Sequence, residues 1–233
     1  MIDSYVALDV ETTGLNPKQD KIIEIGMVRV RSGEITAKME TFFNPGRKLE
    51  EHIVKLTGIR DEHLADAPDI ADVLPDALRF IGDDILVGHG ILFDYSFVKR
   101  AAVNQRLVFE KKGIDTLKLA KLFLPELKSR SLLFLCKYYG IAHNAHRALA
   151  DAEAAAKLYQ KLAAIFYQGN ETAFEPNRLM YQVKRETPIT IPQKEQLYKL
   201  LDRHKLTVDY QVEKLTRNEA SRIIGRLLAE YGR

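Results

Sequence analysis

The sequence predicts an α/β fold, a mixed β-sheet flanked by helices, with a small helical C-terminal appendage. Three observations predict it. The first part of the chain carries three apolar, strand-like runs joined by short loops. The middle alternates short apolar runs with segments of helical period. Beyond a proline-interrupted stretch, two more amphipathic segments close the chain. Strands first, then strands alternating with helices, build a mixed sheet with helices packed against it.

Tyr5–Val10 is an apolar run that stops at Glu11-Thr-Thr-Gly14, a strand followed by a turn. Ile22–Val30 is a second strand, Arg31-Ser-Gly-Glu34 a hairpin turn, and Ile35–Phe43 a returning third strand. Loops this short make the three antiparallel. After Asn44-Pro-Gly46 the period changes. Leu49–Leu56 reads as a short helix closed by Gly58. Ile70–Ile81 is amphipathic, with Ile70, Val73, Leu74, Ala77, Leu78 and Ile81 on one stripe. Ile85–Val87 is a short strand, Ser96–Asn104 a helix, and a brief strand falls near Phe109–Ile114. Leu117–Phe123, Ser131–Tyr139 and Ala148–Tyr167 are further helices.

Glu171–Pro192 reads as a loop, with prolines at 176, 188 and 192. Pro192–His204 then carries Leu197, Leu200 and Leu201. Thr216-Arg-Asn-Glu219 is a capping box ahead of Ala220, Ile223, Ile224, Leu227 and Leu228. Two helices with one apolar face each make little core alone, so they are expected to pack on each other or dock on the body. The expected organisation is a body over 1–170, a linker over 171–192 and a helical accessory segment over 193–233.

With 233 residues, 46% hydrophobic and 29% charged, the chain reads as soluble and globular. It has no apolar run long enough for a membrane helix, and Met1 opens onto Ile2-Asp3-Ser4 without a secretory pattern. Cys136 is the only cysteine, which excludes an intrachain disulfide and a thiolate-rich metal site. A cytoplasmic, reducing compartment and no membrane partner are expected. No G-x-x-x-x-G-K-[ST] occurs, so no ATP-driven helicase is encoded here. The net charge of +3 divides unevenly: residues 1–176 carry 23 Lys/Arg against 25 Asp/Glu, and 177–233 carry 12 against 7. A +5 tail behind a −2 body points to a polyanion, nucleic acid before membrane.

Asp9 and Glu11 stand two apart on the first strand, and i, i+2 side chains share a face. A lone D-x-E is more often a solvated strand end. Here Tyr5–Val10 is too apolar for a solvent-facing strand, and two acids on a buried face call for a cation. Asp94 follows Val87-Gly-His-Gly-Ile-Leu-Phe, just before a helix, where an Asp commonly serves as N-cap. His146-Arg-Ala-Leu-Ala-Asp151 supplies a third cluster. Five residues of helix rotate through about 500°, leaving two side chains roughly 140° apart. His146 is therefore expected in the loop or first turn, with Asp151 one turn in. The alanines around Asp151 suit any helix; they also let this helix approach the sheet and aim Asp151 at Asp9 and Glu11. An all-oxygen acid cluster selects two divalent cations, Mg²⁺ or Mn²⁺, over Zn²⁺. Four carboxylates and a histidine suit two-metal phosphodiester hydrolysis.

Asp9-Val-Glu-Thr-Thr-Gly14, His89-Gly-Ile-Leu-Phe-Asp94 and His146-Arg-Ala-Leu-Ala-Asp151 resemble the three motifs of the DEDDh 3′→5′ exonucleases. The likeness is greatest to the epsilon proofreading subunits of bacterial DNA polymerase III. Ile22-Ile-Glu-Ile-Gly26, Leu56-Thr-Gly-Ile59 and Ser131-Leu-Leu-Phe-Leu-Cys136 share it, and it spans roughly residues 4–167 in order. The resemblance implies a ribonuclease-H-like fold, with Asp9, Glu11, Asp94 and Asp151 as metal-site acids and His146 as general base. It also implies that Thr12, Thr13 and Leu15 hold the terminal nucleotide while His89 and Phe93 line its pocket. The family usually has Asn where this chain has Gly90.

The expected activity is metal-dependent 3′→5′ hydrolysis of single-stranded or frayed DNA ends, releasing nucleoside monophosphates, in proofreading or repair. The alternatives are a 3′→5′ exoribonuclease on the same scaffold, and a non-catalytic nucleic-acid-binding module associated with a polymerase. The five active-site residues argue against the last, since binding alone needs only basic and aromatic surface. A DNA polymerase subunit is an expected partner. Gln105-Arg-Leu-Val-Phe109 resembles the short peptides that bind sliding clamps, which adds a clamp as a second. Lys128-Ser-Arg130 reads as a solvated loop or a phosphate contact, and Cys136 as core.

Overall fold

A computed structural model describes residues 1–232. Six strands form one sheet: β1 (Tyr5–Thr12), β2 (Ile22–Arg31), β3 (Glu34–Phe42), β4 (Leu86–Gly88), β5 (Lys112–Asp115) and β6 (Asn177–Arg178), in spatial order β3-β2-β1-β4-β5-β6. β1–β2 and β2–β3 pair antiparallel, as their short loops require. β4 and β5 join in parallel, and β6 closes the edge antiparallel. The helices are α1 (Glu51–Thr57), α2 (Asp61–Leu64), α3 (Ile70–Ile81), α4 (Leu92–Asn104), α5 (Thr116–Phe123), α6 (Leu132–Tyr139), α7 (Ala148–Phe166), α8 (Ile191–Arg203) and α9 (Arg217–Tyr231).

The alternation of β1 divides the core. Val6, Leu8 and Val10 face α3 and α4, packing with Leu74, Ala77, Ile81, Tyr95 and Val98. Tyr5 and Ala7 face the other way, onto Ala152, Ala156, Tyr159 and Leu162 of α7. The same period places Asp9 and Glu11 on the α7 side. β2 repeats the pattern beside it, because Glu11 pairs with Glu24 and Asp9 with Gly26. One end of the sheet therefore presents acids to the start of α7.

Several boundaries differ from the sequence reading. α4 begins at Leu92, so Asp94 lies within its first turn and does not serve as its N-cap. The short α2 went unforeseen. The stretch after Glu171 is not plain loop, since it contains a 3₁₀ turn (Glu171–Phe174) and the edge strand β6. The clamp-like segment Gln105–Phe109 is anchored at its end. Phe109 is 3% exposed and stacks on Tyr95 at 5.5 Å between centroids, while Val108 beside it is 85% exposed.

α8 and α9 pack on each other through a core of their own, including Leu197, Leu200, Leu201, Ile224 and Leu227. Both begin with capping boxes, Thr190 with Gln193 and Thr216 with Glu219. The chain leading into α8 is tied to the end of α4: Glu186 pairs with Arg100, and its backbone N–H donates to Asn104 Oδ1 at 3.0 Å.

Candidate active site

β1 carries two of the acids to the end of the sheet, and α7 brings a third. β2 makes that approach possible. Gly26 lies under the first turn of α7, where any side chain would strike the backbone of Ala148. Fully buried Glu24 then holds that turn. It accepts from Arg147 Nε at 3.1 Å, from Arg147 Nη2 at 2.9 Å and from the Ala148 N–H at 3.1 Å. α7 is thus seated on β2 by a missing side chain and a buried ion pair, and Asp151 follows one turn later.

Glu11, His146 and Asp151 come together, with one ligand atom of each inside 4.8 Å of the others. Asp151 is 8% exposed, and its Oδ2 accepts the backbone N–H of His146 at 3.0 Å. His146 stands in the loop just before α7, exposed and with φ +66°, in the left-handed region that side chains seldom adopt. That backbone resolves the rotation argument: the histidine is off the helix, so it need not share a helical face with Asp151.

Asp94 enters from α4 and is 3% exposed. Its Oδ1 accepts the Val10 N–H at 3.0 Å. Val10 needs that partner because three-residue β4 ends too early to pair with it. Asp94 therefore sits across the strand that carries Asp9 and Glu11. Asp9 and Asp94 lie outside the tight group of three, yet charge couples all of these acids. Burial first, then the charges of Asp94, Asp151, Glu11 and Glu24, holds the Asp9 carboxyl well above the usual range. Glu11 is pushed up to about 7 by burial, then by Asp151 and Glu24, with Arg147 opposing. Asp94 is raised well above its ordinary value by burial, against the pull of the Val10 hydrogen bond. A divalent cation fits this donor set: it would supply the charge that protons otherwise provide, to hard oxygen ligands.

The remaining expected residues surround this cluster. Thr12 and Thr13 are buried at the end of β1. Thr12 Oγ1 donates to the Gly14 carbonyl at 2.6 Å, and Thr13 Oγ1 accepts from the Lys21 N–H at 3.0 Å. Leu15 projects beyond them, 84% exposed. His89 is half-buried and doubly engaged, with Nε2 2.8 Å from the Arg130 carbonyl and Nδ1 2.9 Å from Thr116 Oγ1. The Arg130 carbonyl, which can only accept, places a proton on Nε2, and burial pushes the ring's pKa down. Only the ring's flat surface remains for a substrate. Phe93 packs on Phe97 beside Asp94. Gly90 adopts φ +85° and donates its N–H to Asp115 at 2.9 Å, a conformation that Gly and Asn tolerate best.

Sequence reasoning missed three contributors. Glu24 signalled itself as a lone acid within the apolar run Ile22–Val30. Arg147 lies inside the third motif but carried no assigned role. His143 contacts Asp151 through Nε2, its side chain only 3% exposed, and no pattern in the sequence marks it.

Comparison with known proteins identifies the family. The alignment with DNA polymerase III PolC-type of Oceanobacillus iheyensis is 39% identical over 231 residues, covering 93% of this chain and 16% of that protein. The counterpart in Bacillus subtilis strain 168 is 46% identical over 164 residues, covering 69% of this chain and 11% of that protein. The chain thus spans less than a fifth of the length of either relative. Among solved structures, Exonuclease X in complex with 5′ overhanging duplex DNA superposes with TM-score 0.56 at 27% identity, over 69% of this chain and 92% of that one. E. coli Exonuclease I with a dT13 oligonucleotide gives TM-score 0.64 at 18% identity, over 73% of this chain and 43% of that one, a likeness of fold. The fold is the ribonuclease-H-like exonuclease fold. The exonuclease family RNase_T matches residues 6–159, a span that runs from β1 through Asp94 to α7 and takes in every acid described above. The chain belongs to that exonuclease family.

Proposed function

We propose that the protein is a 3′→5′ exonuclease acting on single-stranded or frayed DNA ends, in proofreading or repair, with Asp9, Glu11, Asp94 and Asp151 holding two divalent cations. The observation that carries this reading is the convergence of Glu11, His146 and Asp151 within 4.8 Å at the sheet end where Asp9 and Asp94 also stand. The names of the relatives, DNA polymerase III PolC-type, support work at DNA ends during replication.

Bound Mg²⁺ or Mn²⁺ would lower the pKa of an attacking water and stabilise charge on the leaving oxygen. The chain's own residues do the rest. His146, exposed at the mouth of the site, takes the water's proton on a ring nitrogen. Asp151 fixes the backbone of that histidine through the His146 N–H. Leu15, Phe93 and the face of His89 give apolar surface against which the terminal base stacks. Thr12 and Thr13 hold the turn beneath it. Residues 1–170 supply this machinery, 171–192 join it to the accessory segment, and 193–233 add contacts outside the chemistry.

The test is a gel of 5′-labelled DNA and RNA oligonucleotides incubated with Mg²⁺, Mn²⁺ or EDTA. A ladder shortening from the 3′ end of DNA, absent in EDTA, is expected. Shortening of RNA alone would replace the substrate with RNA. No shortening of either with any metal would overturn the proposal.

A further inference from the structure

The appendage does not simply trail behind the body. A cleft of about 500 Å³ separates α9 from two body loops, one around Gln19–Lys21 and one around Pro45–Glu50. Its floor is bonded to the end of β1. Arg47 Nη2 donates to Thr13 Oγ1 and pairs with Asp20 at 3.0 Å, and Thr13 stands two residues beyond Glu11. Its far wall is basic: Arg222 and Arg226, four apart on α9, are both exposed and line it. Half-buried Tyr210 lines the same wall.

The charges in the cleft are unequal once internal pairings are removed. Asp20 is taken by Arg47, whereas Glu219 accepts only the neutral Thr216 N–H, at 2.8 Å, and keeps its charge. Lys21, Lys48, Arg222 and Arg226 then face Glu50, Asp209 and Glu219. The +5 balance of residues 177–233 thus places two of its arginines in the same cleft as Arg47, which bonds Thr13 at the end of β1. Cations lining a groove with an aromatic ring among them suit a single strand, whose phosphates need charge and whose bases need a flat partner.

We propose that this cleft is a binding track for the single-stranded polynucleotide that runs back from the 3′ end held at Asp9 and Glu11. The proposal rests on the nuclease reading above and extends it to the strand outside the chemistry. The shared chemistry is the phosphodiester backbone, from DNA or RNA. A trinucleotide and an oligonucleotide of roughly 20 residues serve as the short and the long probe of the track.

The test compares the full-length wild type with the double variant Arg222→Glu/Arg226→Glu and with Lys48→Glu from the opposite wall. It uses oligothymidylate and oligouridylate of both lengths in Mn²⁺. The ratio of kcat/KM for the long over the short oligonucleotide is expected to fall about tenfold in the double variant. The slope of log KM against log salt is expected to fall by about 1.4, since each lost phosphate contact on a single strand is worth roughly 0.7. Arg222→Lys/Arg226→Lys should recover most of both. Equal losses on the two sugars identify a backbone track, and a loss on one alone identifies which polymer it serves. An unchanged length ratio and salt slope would overturn the proposal. Thermal melts check folding, and if the double variant unfolds, Lys48→Glu decides. Should the wild type cleave nothing, the nuclease reading fails by itself. Fluorescence anisotropy of the long oligonucleotide in EDTA then judges the cleft: weaker binding by the variants supports it, and equal binding overturns it.

Discussion

Gly26 and Ala148 occupy a space with no room for one more carbon: a Cβ at position 26 would fall 2.1 Å from the Ala148 carbonyl carbon. The obstacle is backbone, which does not swing aside as a side chain does. Gly26→Ala must therefore lift the first turn of α7 and draw Asp151 away from Glu11. Overpacking of this kind costs about 1–3 kcal/mol. Urea unfolding should show that loss, and the Mn²⁺ concentration for half-maximal activity should rise. A variant with normal metal dependence would show that α7 seats without this contact.

Arg147 should matter to stability more than an ordinary surface arginine. Its partner Glu24 is fully buried, and both Arg147 Nε and Arg147 Nη2 donate to its carboxylate. Arg147→Ala leaves a buried carboxylate without its cation, held by the neutral Ala148 N–H. Removing one member of such a pair costs on the order of 3 kcal/mol. The double change Glu24→Gln/Arg147→Met should cost less than Arg147→Ala, because no buried charge is stranded. Equal costs in urea unfolding would mean that the charge is not what matters there.

Most of this arrangement was legible in the sequence because it rests on periods and order. Alternation along Tyr5–Glu11 set both acids on one face, and the His146–Asp151 spacing put the histidine before its helix. Long amphipathic segments such as Ile70–Ile81 came out at their observed bounds. What stayed hidden depends on contacts distant in sequence. Nothing local says that Asp94 caps the Val10 N–H, 84 residues away, or that Glu24 holds Arg147 across 123. Strand β6, two residues long, exists only because β5 offers it an edge. His143 against Asp151 is likewise a contact made by a loop whose path no pattern encodes.

In EDTA the protein should lose stability as pH rises. Burial, then Asp151 and Glu24, lifts the folded-state pKa of Glu11 to about 7, against 4.5 ordinarily. Between those values the native form holds more protons than the unfolded chain, so stability falls across that window and levels off above it. Asp9 and Asp94 are raised too and act with the same sign. Glu11→Gln should flatten the fall, and Mn²⁺ should reduce it in the wild type by competing with protons for the same oxygens. Melting temperatures from pH 4.5 to 8, with and without Mn²⁺, check both effects. A wild type whose stability rises across this range in EDTA contradicts the assignment.

His146→Ala should reduce kcat by about 10²–10⁴-fold, the range for loss of a positioned general base. Metal-induced stabilisation should persist in the variant, since four carboxylates remain. Near-normal turnover would remove His146 from the chemistry.

Asp9→Asn separates function from stability most sharply. Without metal, Asp9 is surrounded by Asp94, Asp151, Glu11 and Glu24, all of which disfavour its charge. An amide removes that repulsion while keeping the shape, so the variant should melt in EDTA no lower than the wild type, and higher near neutral pH. An amide is also a poorer ligand for a hard cation than a carboxylate, so activity should vanish. Adding Mn²⁺ stabilises by binding the native state alone, and the wild type should gain more from it than the variant. If Asp9 instead anchored a buried hydrogen-bond network, the same change would cost stability in EDTA as well. Paired melts decide. A variant several degrees less stable in EDTA, together with a wild type indifferent to Mn²⁺, would refute the reading of these four acids as one metal site.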